Sequence, residues 1–149
     1  MLKLSTRGEY GVRAMLELGF SGGNSLTVQE ISGKQNISAK YLEHLLALLK
    51  KAGLINSERG PRGGYRLSKP AQEITLAEIL VALEGNNAPV NCLKEDAAAN
   101  QFCLWQEACA LQTVWLDIHE SITKILSDIT LHDICEKQQA IKNAMIYHI

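Results

Sequence analysis

Apolar residues fall into helical stripes along most of this chain, and most stripes open on a capping residue. From Thr6 to Phe20, the capping-box pattern Thr6-x-x-Glu9 leads into Tyr10, Ala14, Met15 and Leu18 at helical spacing, and Ser21-Gly22-Gly23-Asn24 ends the segment. A second box, Thr27-x-x-Glu30, starts a short helix with Val28 and Ile31 inside, broken by Gly33 to Asn36. Ser38 is placed to cap a third helix, Ala39 to Ala52, which Gly53 stops. Its buried stripe is Leu42, Leu45, Leu46 and Leu49, leaving Lys40, Tyr41, Glu43, His44, Lys50 and Lys51 for an outer face.

The period then changes. Leu54-Ile55-Asn56-Ser57 suits a short strand, Arg59-Gly60-Pro61-Arg62-Gly63-Gly64 a glycine-rich turn, and Tyr65-Arg66-Leu67 the returning strand. Thr75-x-x-Glu78 opens another helix with Leu76, Ile79, Leu80 and Leu83 inside and Gly85 closing it, whereas Asn86 to Gln101 lacks periodicity and reads as loop. The longest helix is expected from about Leu104 to Ile129. Its apolar positions Leu111, Trp115, Ile118, Ile122, Ile125 and Ile129 are spaced 4, 3, 4, 3, 4. Such a heptad stripe packs either on its own domain or on a partner's copy across a twofold axis. Thr130-x-x-Asp133 predicts a last helix to about Lys137, and the tail beyond it carries no firm signal.

Two short helices joined by a tight turn and followed by a hairpin form a winged helix-turn-helix, whose second helix lies in the DNA major groove. The expected fold is mainly α. A winged helix-turn-helix domain with a small β-hairpin wing occupies residues 1–85 and a cysteine-bearing loop residues 86–110. A long C-terminal dimerisation helix and a following short helix span 104–137, and 138–149 are a tail. Arginines at the wing tip, Arg59 and Arg62, suit a minor groove, where negative potential concentrates over A/T-rich sequence.

Charge strengthens this reading. The formal net charge is only -1, yet residues 1–70 carry eleven Lys/Arg against five acids and residues 71–149 four against eleven. A +6 half suits a polyanion, with binding that tightens as salt falls. No run of about eighteen apolar residues and no charged-then-apolar leader is present, so a cytoplasmic protein without membrane association is expected. The turn at Gly60 to Gly64 lacks the Lys-Ser/Thr of a phosphate loop. With no G-x-S-x-G elbow or His-carboxylate set either, an enzyme is not expected.

Four cysteines in a reducing compartment argue for metal or redox chemistry more than for structural disulfides. Cys92, Cys103 and Cys109 lie within one eighteen-residue stretch, at spacings that allow soft metal or an iron-sulfur cluster. A thiol-disulfide switch, a zinc site and plain burial are the alternatives. Zinc is disfavoured by the lack of a C-x-x-C pair or H-x-x-x-H, and burial by the polar company of Asn91, Lys94, Glu95, Asp96 and Asn100. Cys135, His119, His132, Trp105 and Trp115 read as structural, surface or interface groups.

With these residues assembled, the chain resembles the IscR-type iron-sulfur cluster regulators of the winged-helix Rrf-two superfamily of bacterial transcription factors. The likeness rests on Leu4-Ser-Thr-Arg-Gly-Glu-Tyr-Gly-Val-Arg-Ala-Met15, Ile37-Ser-Ala-Lys-Tyr-Leu-Glu43 and Gly53-Leu-Ile-Asn-Ser-Glu-Arg-Gly-Pro-Arg-Gly-Gly-Tyr-Arg-Leu67. It continues through Ile74-Thr-Leu-Ala-Glu-Ile79, the three cysteines and Ile129-Thr-Leu-His-Asp-Ile134. The resemblance implies a homodimer on a near-palindromic operator in double-stranded DNA, with a cluster, [2Fe-2S] favoured over [4Fe-4S], in the loop before the dimerisation helix. It places Ser38, Lys40, Tyr41 and His44 against phosphates and base edges, Arg59 in the minor groove, and Glu43 at a discriminating position. A carboxylate at Glu43 accepts from cytosine and repels phosphate, so it rejects as well as selects. The chain departs from the pattern in two ways. The gap from Cys92 to Cys103 is wide, and Gln112 stands where founding members carry a histidine ligand. The fourth ligand is thus open among Glu9 of a partner subunit, Glu107, Cys135, His119 and a small molecule.

Overall fold

A computed structural model of the 149-residue chain describes residues 4–85, 90–93 and 109–147. Helix α1 (Thr6–Phe20) is followed by α2 (Val28–Gln35) and α3 (Ala39–Lys51), then strands β1 (Ile55–Glu58) and β2 (Gly64–Leu67). A short 3-10 turn, Ala71–Glu73, precedes α4 (Leu76–Glu84); α5 (Ala110–Asp128) and α6 (Leu131–Ile146) complete the described chain.

The capping pattern sets most helix starts. Thr27, Thr75 and Thr130 each accept a backbone N–H from the residue three ahead, whose carboxylate returns the bond. In α1 the cap is Ser5, one residue before the expected Thr6, and its hydroxyl accepts from the Gly8 N–H at 3.1 Å. Ser5 also donates through its N–H and hydroxyl to Glu84 at the end of α4. α2 runs on through Gly33 to Gln35 and stops at Asn36, whose φ of 53° is left-handed. Glycine inside a helix costs only about 0.5 to 1 kcal/mol relative to alanine, so Gly33 weakens α2 without breaking it.

One core joins these elements. Met15, Ile31, Leu42, Leu45, Leu46, Leu49, Ile55, Ile74, Ile79 and Leu131 are fully enclosed. α4 lies tightly on α1 because Gly8 and Gly11, one turn apart, present no side chain to it. A methyl at Gly11 would sit 2.2 Å from Leu83 Cδ1. α6 contributes Leu131 to the same core and packs along α1. Thr75 and Thr130 form an antiparallel bridge, with the Leu76 N–H donating to the Ile129 carbonyl and the Leu131 N–H to the Ile74 carbonyl, both at 2.8 Å.

Three sequence expectations change. α5 begins at Ala110, because Cys109 is extended and serves as its N-cap; residues 104–108, with Trp105 and Glu107, lie outside the described residues. α6 continues to Ile146, nine residues beyond the expected end at Lys137, so most of the supposed tail is helix. The α5 stripe also divides. Ile118, Ile122 and Ile129 are half-buried, whereas Leu111, Trp115 and Ile125 stay exposed at 57%, 37% and 60%, joined by Val114 and Leu116.

Candidate nucleic-acid interface and cysteine site

α3 separates its residues cleanly by face. Leu42, Leu45, Leu46 and Leu49 have no exposure, while Lys40, Glu43 and His44 point outward and Tyr41 is half-buried. The Ser38 hydroxyl caps the helix, accepting from the Tyr41 N–H at 3.3 Å. Among the described residues, Lys40, Glu43, His44, Arg59 and Arg62 have no ion-pair partner, and no Lys40–Glu43 pair forms despite the favourable spacing. These charges remain available to an external ligand.

The hairpin pairs Ile55 with Leu67 through to Glu58 with Gly64, and it is braced on two sides. Leu26 bridges to Tyr65, with the Leu26 N–H donating at 2.9 Å and the Tyr65 N–H at 2.7 Å. The Lys50 ammonium donates to the Ser57 hydroxyl at 2.6 Å, tying the last turn of α3 to β1. Arg66 pairs with Glu58 across the strands at 2.9 Å, and the Ser25 hydroxyl donates to the same carboxylate. Lys50 and Arg66 are therefore occupied in holding the wing, which leaves Arg59 and Arg62 exposed at its tip.

The glycines of the wing have separate reasons. Gly60 takes φ 111°, which favours glycine, while a methyl at Gly63 would lie 2.7 Å from the Glu58 carbonyl oxygen and one at Gly64 2.5 Å from that of Leu26. An open groove of about 550 Å³ between the α1–α2 loop and the wing is lined by Thr27, Glu30, Glu58, Arg62 and Arg66. Both of its carboxylates are already engaged, Glu30 in its capping box and Glu58 at Arg66.

Cys92 lies in a second short 3-10 turn, Asn91–Leu93, that touches α5, and Cys109 caps α5 itself. Both are half-buried free thiols. Cys103 lies outside the described residues, and among those described no set of three or more His, Cys, Asp and Glu gathers as a metal site. Glu9 is an exposed side chain of the first turn of α1, 3.8 Å from Arg13. Cys135 sits apart, against Gly19 of α1, where burial and then the nearby Glu17 carboxylate raise its thiol above the usual range. His132 Nε2 lies 3.3 Å from Glu136, a surface position.

Sequence reasoning missed one group near the start of α3. Arg13 of α1 reaches the end of α2, and Tyr10 meets Tyr41 edge to face, with ring centroids 6.1 Å apart. The available signal was Arg13 itself, a base three residues after an aromatic on the first helix.

A buried-stripe helix that displays unpaired polar groups, set beside a braced two-stranded hairpin with arginines at its tip, defines a winged helix-turn-helix DNA-binding protein. The family model Rrf2, iron-dependent transcriptional regulator, matches residues 4–137, and the chain belongs to this family of transcriptional regulators. The Rrf2 protein of Nitratidesulfovibrio vulgaris is 36% identical over 89% of this chain and 87% of its own length. Among solved structures, CymR, the global cysteine regulator of B. subtilis, superposes with a TM-score of 0.74 at 33% identity, covering 92% of this chain and 98% of that one. IscR of T. potens superposes with a TM-score of 0.71 at 36% identity, covering 92% and 88%. Among the described residues no helix is long and apolar enough to cross a membrane.

Proposed function

We propose that this regulator works as a homodimer whose α3 and wing read a near-palindromic operator, and whose affinity is set by an iron-sulfur cluster on Cys92, Cys103 and Cys109. The observation that carries the reading is the face of α3: four leucines fully buried on one side, Lys40, Glu43 and His44 unpaired on the other. Lys40, Tyr41 and the Ser38 turn serve phosphates, Glu43 and His44 base edges, and Arg59 and Arg62 the minor groove beside them.

The donor chemistry suits a cluster. Cys92 and Cys109 are free thiols on two elements that touch, and the positive end of α5 adjoins the anionic charge that thiolate ligands bring. The fourth position stays open among Glu9 of a partner subunit, Glu107, His119 and a small molecule, with Cys135 set apart against Gly19. A weak donor there leaves the bound group open to oxidants, the property of a sensor. The segment carrying the cysteines leaves α4 at Gly85 and returns at Cys109, so its ends are anchored on two helices that pack together. Occupancy of the site biases α4 and α5, and through the Glu84–Ser5 and Thr75–Thr130 ties it biases α3 and the wing.

Salt titration of operator affinity tests the reading face. Lys40→Ala should weaken binding to all duplexes and reduce the salt slope by about one, whereas Arg59→Ala should weaken chiefly duplexes with A/T-rich wing positions. Unchanged binding in both contradicts it. A second reading is favoured by Gln112 and by the likeness to CymR: a clusterless regulator of sulfur, cysteine or redox metabolism, acting by thiol switch or partner protein. Operator binding that follows thiol oxidation and ignores iron supports that reading against the first.

A further inference from the structure

We propose that Arg13 is the positioning residue of the reading head, gripping the turn between α2 and α3 so that α3 meets DNA in one orientation. The proposal rests on α3 being the recognition helix. Arg13 Nε donates to the side-chain oxygen of Gln35 at 2.8 Å and Nη2 to the Gln35 backbone carbonyl at 2.6 Å. Gln35 is the last residue of α2, where carbonyls lack an intrahelical donor and a cation is favoured by the helix dipole. The Gln35 amide in turn donates to Glu17, one turn further along α1. α1 therefore holds this residue from both sides, directly before Asn36 reverses the chain.

The same guanidinium also lies against a ring of its own helix. It lies 5.1 Å from the Tyr10 ring centroid, and Tyr10 meets Tyr41, in the first turn of α3, at an interplanar angle of 76°. α1 thus holds the end of one helix through Arg13 and meets the start of the next through Tyr10, against which Arg13 lies. A planar fork is required, because Nε and Nη2 donate together to two acceptors of one residue; lysine offers a point charge. The ion pair to Glu9, at 3.8 Å on exposed side chains, adds little to this grip.

The test uses fluorescence anisotropy on the full-length protein. Two probes are compared across roughly 50 to 200 mM salt: a duplex selected by the wild type from a random pool, and a scrambled duplex of equal length. Arg13→Lys and Arg13→Met should each lower affinity for the selected duplex about tenfold while leaving the scrambled duplex and the salt slope unchanged. Gln35→Ala should shift the ratio in the same direction by less, since the backbone carbonyl remains. Equal losses on both duplexes with a slope reduced by about one overturn the proposal in favour of a direct phosphate contact. An unchanged ratio in a variant that is folded by near-ultraviolet circular dichroism also overturns it. If Lys40→Ala and Arg59→Ala are silent as well, the recognition-helix reading itself has failed; if only the Arg13 variants are silent, that reading stands and the positioning role does not.

Discussion

Individual residues in this fold are chosen by space and by caps more than by charge. Gly11 faces Leu83, and Gly11→Ala puts a methyl 2.2 Å from a side chain that is itself buried. We expect a loss of about 1 to 3 kcal/mol in thermal unfolding, while alanine at Gly33, where nothing lies within 4 Å, should hold or raise stability. Glu78 is held below its ordinary value of 4.5, chiefly by a hydrogen bond from Lys69 and next by the Thr75 backbone N–H. A lowered carboxylate stabilises the fold above its unfolded value and loses that contribution as pH falls through the folded one. The difference in melting temperature between wild type and Glu78→Gln should therefore shrink as pH is lowered from about 7 to about 3; a difference independent of pH contradicts the assignment.

Elements were legible where pattern and cap agree. The boxes at Thr27, Thr75 and Thr130 open helices where expected, and the leucines of α3 are buried as their spacing demands. The Ser5 cap was not legible, because its second role is a bond to Glu84, far along the chain. Nor was the grip of Arg13 on Gln35, since long-range polar pairs leave no periodic trace. The length of α6 escaped for a related reason: beyond Lys137 its apolar residues Ile141, Met145 and Ile146 stay exposed, so no core-facing stripe marks the helix. α5 buries none of its residues fully although it is nineteen long, and its open apolar edge carries the proposal of a twofold partner. Ile125→Glu together with Leu111→Glu should convert a dimer to a monomer in sedimentation velocity, with the α1–α4 body still folded. A wild type that sediments as a monomer at micromolar concentration contradicts the interface.

At the scale of the molecule, a winged-helix half of net positive charge is joined to an acidic C-terminal half by a few specific ties. α6 shares the core through Leu131, the Thr75–Thr130 bridge fixes the α5–α6 junction to the start of α4, and Glu84 fixes the end of α4 to the start of α1. Cys103 lies outside the described residues, and the proposed ligand set combines sequence spacing with the placement of Cys92 and Cys109 beside α5. Under the proposed function, coupling through these ties would need only about 1 to 3 kcal/mol to change operator occupancy some 5- to 150-fold. On the proposed dimer, half-sites about one DNA turn apart, roughly 34 Å, would make the separation of two recognition helices the quantity that such coupling adjusts. The most direct test is operator affinity of one preparation before and after anaerobic reconstitution with iron and sulfide, followed by visible absorption. Expected is a coloured protein whose affinity or site preference shifts by at least about fivefold and returns when the cluster is removed, with Cys92→Ala showing no shift. A colourless protein, or a coloured one that binds every site as the apoprotein does, contradicts it.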